Sequence, residues 1–278
     1  MDCLNVGCGS RFHPAWTNID VAPVSSYVQA YNCRAGLPFP HQSFDVVYHS
    51  HVLEHFPKSE SLGFAQECFR VLRPGGIIRV AVPDLECLAG LYLEAVQKAA
   101  GGDTQWQHNY DWLMLELYDQ TVRNRSGGGM IDYLKQDPLP NEHFLFERFG
   151  GEVRRILQAI RTSAQPKQMP NTSLQKVTCR LLAFPQSALK RVLDKFLGTE
   201  GCKALEIGRF RLSGEVHQWM YDRYSLARLL ELAGFRNPRR RDPVESMIPD
   251  WTSYHLDTDP DGSIYKPDSI YMEAVKPQ

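Results

Sequence analysis

The sequence predicts an α/β fold: a doubly wound, mostly parallel sheet interrupted by a helical cap insertion. Three observations carry this. Short apolar runs ending in glycine or a polar residue alternate with crossover segments over the first 83 residues. From about 85 to 215 the pattern becomes wholly helical, and strand-like runs return only after 215.

Taken in order, residues 3–7 are a short apolar run ending in glycine, as a buried parallel strand requires. "WTNIDV" (16–21) is a second strand ending at an aspartate, and "SFDVVYHS" (43–50) a third, entered from the turn "LPFPHQ". Residues 59–72 place Leu62, Phe64, Ala65, Phe69 and Leu72 at helical spacing, with Ser59 as N-cap and "RPGG" (73–76) as the stop. "IIRVAVP" (77–83) is the next strand. Helices are expected over 85–100, 111–123, 142–162 and 173–197, with a Gly-rich break at 127–129. A helix at 225–235, a strand through "RRRDPVES", a polar loop at 257–268 and a strand at 269–276 complete the chain. Residues 1–278 thus read as a single domain carrying an insertion at 85–215, placed over the sheet rim as a cap.

Composition narrows the function. Hydrophobic content of 43% and charged content of 23% are ordinary for a soluble globular chain. A net charge of -1 gives no electrostatic case for nucleic acid. The seven cysteines include no CxxC pair and read as reduced thiols of a cytoplasmic protein. No apolar run is long enough for a transmembrane segment, and no leader pattern opens the sequence.

In an open parallel sheet, ligands bind beyond the carboxyl ends of the strands. That places Gly7 to Gly9, Asp20, Ser50 to His55 and Asp84 on one rim. The turn "GCGSRFHP" lacks the third glycine, and the room for a helix, that a pyrophosphate needs. NAD and FAD are therefore disfavoured. A nucleoside without phosphate has no such need, and Asp20 stands where it can accept from ribose hydroxyls. Taken alone, the Gly-x-Gly turn and Asp20 fit a tight structural turn equally well.

"LNVGCGS", "LPFPHQSFDVVYHSHVLEHF" and "RVLRPGGIIRVAVPD", in this order, resemble the class I S-adenosylmethionine (SAM) dependent methyltransferases, nearest to the type 11 small-molecule subgroup. The resemblance is tight over 3–84 and looser over 216–278, and the insertion has no general counterpart in the family. It implies a Rossmann-like sheet with an antiparallel C-terminal strand and SAM as cofactor. Gly7, Cys8 and Gly9 would lie against the methionine part of SAM, Asp20 on the ribose and Val21 beside the adenine. Asn32 would replace the family's usual aspartate facing the adenine amino group, with the Cys33 N–H nearby. Ser50 and His51 would face the methionine end. The acidic residue usual before the glycine turn is Asn5 here. The helices usual before the first strand are also missing from this sequence, and the insertion is expected to supply their cover.

Methyl transfer to a hydroxyl needs alignment, exclusion of water and removal of a proton. "YHSHVLEH" offers His49, His51 and His55. Strand alternation would point His49 and His51 the same way; His51 is the first candidate base. His55 reads better as a helix cap or a backbone-bonded residue. Glu54 and His55 as a metal pair are rejected, because helix neighbours diverge and no third ligand is in sight; no metal is expected. His217 is the second candidate base. Trp219 and Tyr221 either line an acceptor pocket or pack the cap onto the sheet. Glu116, Asp119 and Arg123 share one helical face, readable as a solvated charge stripe.

The loop 257–268 matches the start of an EF-hand loop, but its prolines and flanking strands favour a turn bonding polar substrate groups over calcium. From Arg148 to Lys195 the cap is basic, with Arg148, Arg154, Arg155, Arg161, Lys167, Lys176, Arg180, Lys190, Arg191 and Lys195 against Glu152 and Asp194. That is a solvated face by default, or a match to an anionic acceptor. Apolar residues from Leu181 to Leu197 raise a peripheral membrane contact that Pro185 weakens. The expected activity is methyl transfer to a small or medium polar acceptor, a hydroxyl of a sugar, glycan precursor or secondary metabolite. The alternative is a catalytically silent SAM-binding protein of the same fold.

Overall fold

The computed structural model describes residues 1–164 and 197–278. Seven strands form one sheet: β1 (Cys3–Val6), β2 (Thr17–Asp20), β3 (Val28–Ala30), β4 (Phe44–Ser50), β5 (Leu72–Pro83), β6 (Arg236–Arg241) and β7 (Ser269–Val275). Their spatial order is β3-β2-β1-β4-β5-β7-β6. Pairings from β3 to β5 are parallel, while β7 runs antiparallel to both β5 and β6. The fold is therefore Rossmann-like, with β7 alone reversed.

Burial explains the central strands. All four residues of β1 are buried, as a strand paired on both sides and covered on both faces must be. Along β5, Ile78, Val80 and Val82 join Phe64, Ala65 and Cys68 of α1 (Lys58–Val71) and Leu226 and Leu230 of α7 (Arg223–Leu232) in the main core. On the opposite face Val46 and Tyr48 of β4 meet Trp16, Ile248, Trp251 and Leu256. The cover there is an aromatic loop, with Trp16, Tyr48 and Trp251 packed at 5.2–6.3 Å between ring centroids.

A charge lies inside this second layer. Arg79 on β5 is fully buried and contacts Asp257 and Glu273, each at 2.8 Å, beneath the Trp251 ring. Its remaining N–H groups donate to the carbonyls of Glu245, Asp242 and Pro243. Asp257 also accepts from Tyr48 at 2.5 Å.

Several boundaries differ from the sequence-based expectation. β3 is three residues long with one buried, too short to show a period. Helix α1 begins after Pro57, so Ser59 lies within it rather than capping it. "RPGG" is not a helix stop but a bulge inside β5, because Leu72 already pairs with Phe44 and Gly75 and Gly76 exchange backbone bonds with Lys276.

Between β5 and α7 lie α2 (Leu85–Ala100), α3 (Thr104–Val122), α4 (Gly128–Leu134), α5 (Glu142–Ala164) and helical residues 197–211, here α6. Helix α3 starts seven residues before the expected 111, where Asp103 accepts from the N–H groups of Gln105 and Trp106. Helix α5 kinks at Gly150, whose φ is 54°. A Cβ there would sit 2.3 Å from the Ile264 carbonyl, so only glycine lets the 257–268 loop dock on the cap. The helix expected over 173–197 falls almost wholly outside the described residues. Lys167 to Lys195 of the basic set lie outside them too, as do the apolar residues from Leu181 to Phe196. Among the described residues no helix is long and apolar enough to cross a membrane.

Candidate active site

Three cavities meet at His51, which lines all of them. The first, about 220 Å³, is bounded by Asn5, Gly7, Cys8, Gly9, Ser50 and Tyr265. The second, about 410 Å³, lies on the other side of Gly7 against Asp20, Val21, Asn32 and Cys33. The third, about 420 Å³, opens under the cap between Trp112, Phe149, His217, Lys266 and Asp268. Of the residues singled out as ligand contacts, all therefore line the first two cavities or their junction.

The glycine turn is fixed from below and open above. Gly7 has φ 63°, and a Cβ on it would meet Val52 Cγ2 at 2.5 Å. Nothing lies within 4 Å of the Cβ position at Gly9. Asp20 Oδ2 accepts from the Gly9 N–H and Oδ1 from the Ala22 N–H, both at 2.8 Å, which aims the carboxylate along the rim. Asn5 donates through Nδ2 to the Arg11 carbonyl and to Asn18, while its buried Oδ1 has no partner. An acid at position 5 could not make those donations. Burial, aided by Asp20, pushes the Cys8 thiol up to about 12, so it remains protonated. The Asn32 side-chain oxygen accepts from the Arg34 N–H, capping a 3-10 turn at Cys33–Ala35.

Strand alternation does not carry through to His51. It adopts φ 54°, a left-handed conformation that turns it out of the strand pattern. His49, by contrast, is buried against Phe64, so the two imidazoles do not share a direction. His51 Nε2 lies 2.7 Å from Ser269 Oγ, and Nδ1 lies 3.2 Å from Glu54 Oε1. Burial pushes the Glu54 carboxyl up, but the imidazoles of His51, His55 and His217 together outweigh it and hold the group well below the usual carboxylate range. An ionised Glu54 selects the tautomer with the proton on Nδ1, leaving Nε2 as the acceptor.

His217 lines the cap cavity, and burial lowers its imidazole to about 3. It stays neutral at physiological pH and is a weak proton acceptor. His55 packs edge-on against it, with 4.8 Å between ring centroids. The residues from 217 to 219 are sewn to this wall: the Glu54 carbonyl accepts from the Gln218 N–H at 2.7 Å and the Trp219 N–H at 3.2 Å. Glu54, His55 and His217 thereby come together, supplying the third group that the sequence does not show beside Glu54–His55.

Other expectations shift. Trp219 is exposed under Lys58, and Tyr221 is buried with its hydroxyl on Ser61, so neither lines the cavity between Trp112 and Lys266. Glu116, Asp119 and Arg123 are no solvated stripe: Glu116 binds Arg148, Asp119 caps α4 and Arg123 pairs with Glu215. Arg148, Arg155 and Arg161 are likewise paired within the chain. In the 257–268 loop Asp257 is held by Arg79, Asp259 by Arg11 and Asp261 by Ser263, so these carboxylates face different partners. Asp84 caps α2 and pairs with Arg240. Sequence reasoning missed the half-buried Lys266, 3.0 Å from Glu152, whose only signal was its place in the polar loop.

Residues 4–80 match the Methyltransf_11 family, described as a methyltransferase domain. Residues 4–80 are thus similar to a class I SAM-dependent methyltransferase domain. A Mycolicibacterium smegmatis protein described as a probable SAM-dependent methyltransferase is 48% identical over 50 residues. That stretch is 18% of this chain and 19% of that relative, so the match spans about a fifth of each. Among solved structures, the Burkholderia thailandensis 1,6-didemethyltoxoflavin-N1-methyltransferase is 9% identical, with a TM-score of 0.37, over 99% of this chain and 71% of its own. The CurJ carbon methyltransferase is 9% identical with a TM-score of 0.38, over 100% of this chain and 49% of its own. The methyltransferase family match covers β1 to β5, the strands that carry Gly7, Asp20 and His51.

The folded chain should also show a distinct acid response. Burial lowers His49 to about 4, against an ordinary 6.5. Below 6.5 the unfolded chain takes a proton that folded His49 refuses, so stability falls as pH drops from 6.5 towards 4. His49→Asn is expected to show a shallower acid slope of the urea midpoint than the wild type. Equal slopes would place the titration elsewhere.

Proposed function

We propose that residues 1–278 form a single methyltransferase domain that binds SAM across Gly7. In this reading it transfers the methyl group to a hydroxyl of a small or medium polar acceptor. The 85–215 segment acts as the cap over that acceptor. The observation that supports this best is the position of His51, shared by the two cavities flanking Gly7 and by the cavity under the cap.

The chain's own groups suit such a ligand. Asp20 presents a carboxylate to ribose hydroxyls, with Val21 and Asn32 beside the base and the Cys33 N–H nearby. The partnerless Oδ1 of Asn5 faces the small cavity as an acceptor for the methionine ammonium. The bound sulfonium supplies the electrophilic methyl. His51 Nε2 takes the acceptor's proton while the oxygen lone pair forms the new C–O bond; the C–S bond breaks and its electrons remain on sulfur. Trp112 and Phe149 exclude water, and Lys266 and Asp268 offer polar contacts to a sugar-like acceptor.

Calorimetry with SAM and S-adenosylhomocysteine, followed by a labelled-methyl screen of hydroxylated acceptors, tests this. Binding with no transfer to any acceptor would favour the silent SAM-binding alternative. Asp20→Ala is expected to weaken SAM binding about 10- to 100-fold, roughly 1.5–3 kcal/mol for bonds to a charged acceptor. Unchanged affinity would move the ribose away from Asp20.

A further inference from the structure

We propose that Glu54, His55 and His217 bind a divalent transition-metal ion of zinc type in the wall of the cap cavity. One ligand atom from each of the three lies within 4.8 Å of the others. Glu54 is fully buried, with Oε2 lacking any partner and Oε1 approached only by His51 Nδ1; Nδ1 of His55 is also buried without a partner. A buried carboxylate with one oxygen left bare is strongly unfavourable unless a further cation meets it. His51 Nδ1 approaches Oε1 alone, at 3.2 Å, which leaves Oε2 for a second positive partner.

Among the described residues, the two cations lining the cap cavity are engaged elsewhere, Arg123 with Glu215 and Lys266 with Glu152. The residues are prearranged as well. A 3-10 turn, Leu53–His55, orients Glu54 and His55, and the Glu54 carbonyl holds the strand-like segment after His217 by two backbone bonds.

Donor chemistry selects the ion. Two imidazoles and one carboxylate suit zinc, cobalt or ferrous iron, whereas magnesium and calcium favour all-oxygen sets. Bond lengths near 2.1 Å put neighbouring ligand atoms about 3.4 Å apart, so the three groups close inward on binding. His55 and His217 line the cap cavity, so the open coordination positions face the acceptor space. Resting on the methyl-transfer reading, the ion would polarise the acceptor hydroxyl beside His51; the metal site itself does not depend on it.

The test titrates chelator-treated full-length protein with Zn²⁺ and, separately, with Co²⁺, following visible absorption of the cobalt form. One equivalent per chain is expected, with cobalt bands typical of nitrogen ligation. His217→Gln, His55→Gln and Glu54→Gln should each weaken zinc binding roughly 100-fold or more. Calorimetric SAM binding, retained in at least one of these variants, certifies a folded chain. Absence of stoichiometric zinc or cobalt binding overturns the proposal, as does wild-type zinc affinity in all three variants. Zinc binding without SAM binding would uphold the metal site and sink the methyl-transfer reading; SAM binding without zinc would sink the metal site and leave the methyl-transfer reading to the acceptor screen.

Discussion

Replacing Arg79 with alanine is expected to lower the melting temperature by about 10 °C or more. The guanidinium is fully buried and neutralises Asp257 and Glu273, themselves buried. Deleting it strands two carboxylates in an aromatic layer, a loss of roughly 3–5 kcal/mol, and each kcal/mol shifts a domain of this size by about 2–4 °C. The damage should reach the site. Asp257 is the anchor of Tyr48, and Tyr48 lines the small cavity beside Gly7. A triple variant, Arg79→Met with Asp257→Asn and Glu273→Gln, should recover part of the loss, because no charge is then left unpaired. A single Arg79→Ala that melts with the wild type would show that the loop after β6 holds without its central ion.

His51→Asn is expected to slow methyl transfer roughly 100-fold or more, with SAM affinity changed by less than about threefold. Asparagine is chosen because it tolerates the left-handed φ of 54° at this position, where alanine would add backbone strain. The amide cannot take a proton, so the variant separates base chemistry from local folding. Single-turnover rates with saturating SAM are the measurement. Unaltered turnover would remove His51 from the proton path, and a parallel fall in SAM affinity would make it a cofactor contact instead.

What could be read from the chain depended on how local each signal was. The strands around Gly7, Asp20 and His51 were legible because each is a short apolar run with a glycine or polar end. Helix α2 was legible through composition alone, with the expected bounds of 85–100. "RPGG" was misread because a proline and two glycines stop helices and build bulges with the same residues. Only the pairing of Gly75 and Gly76 with Lys276, two hundred residues away, distinguishes the two.

The side chains followed the same rule. Asp20 and the glycine turn were visible from within a span of fourteen residues, 7–20. Trp219 and Tyr221 sit in an aromatic cluster that suggested a pocket, yet a backbone bond to Glu54 turns the first outward and a hydroxyl contact with Ser61 takes the second inward. Arg148 looked like one charge in a basic stripe until Glu116 met it at 2.6 Å. His217 beside Glu54 and His55 was out of reach of any local pattern, because 162 positions separate it from His55.

Helix α2 leaves the sheet at Asp84, and the returning chain forms a parallel bridge to that same residue through Tyr221, with the Leu85 N–H donating to the Tyr221 carbonyl. Entry and exit of the insertion are therefore neighbours. A segment plugged in at one socket can be exchanged for another of different length without re-threading any strand, so the helical stretch can change while the sheet stays as it is.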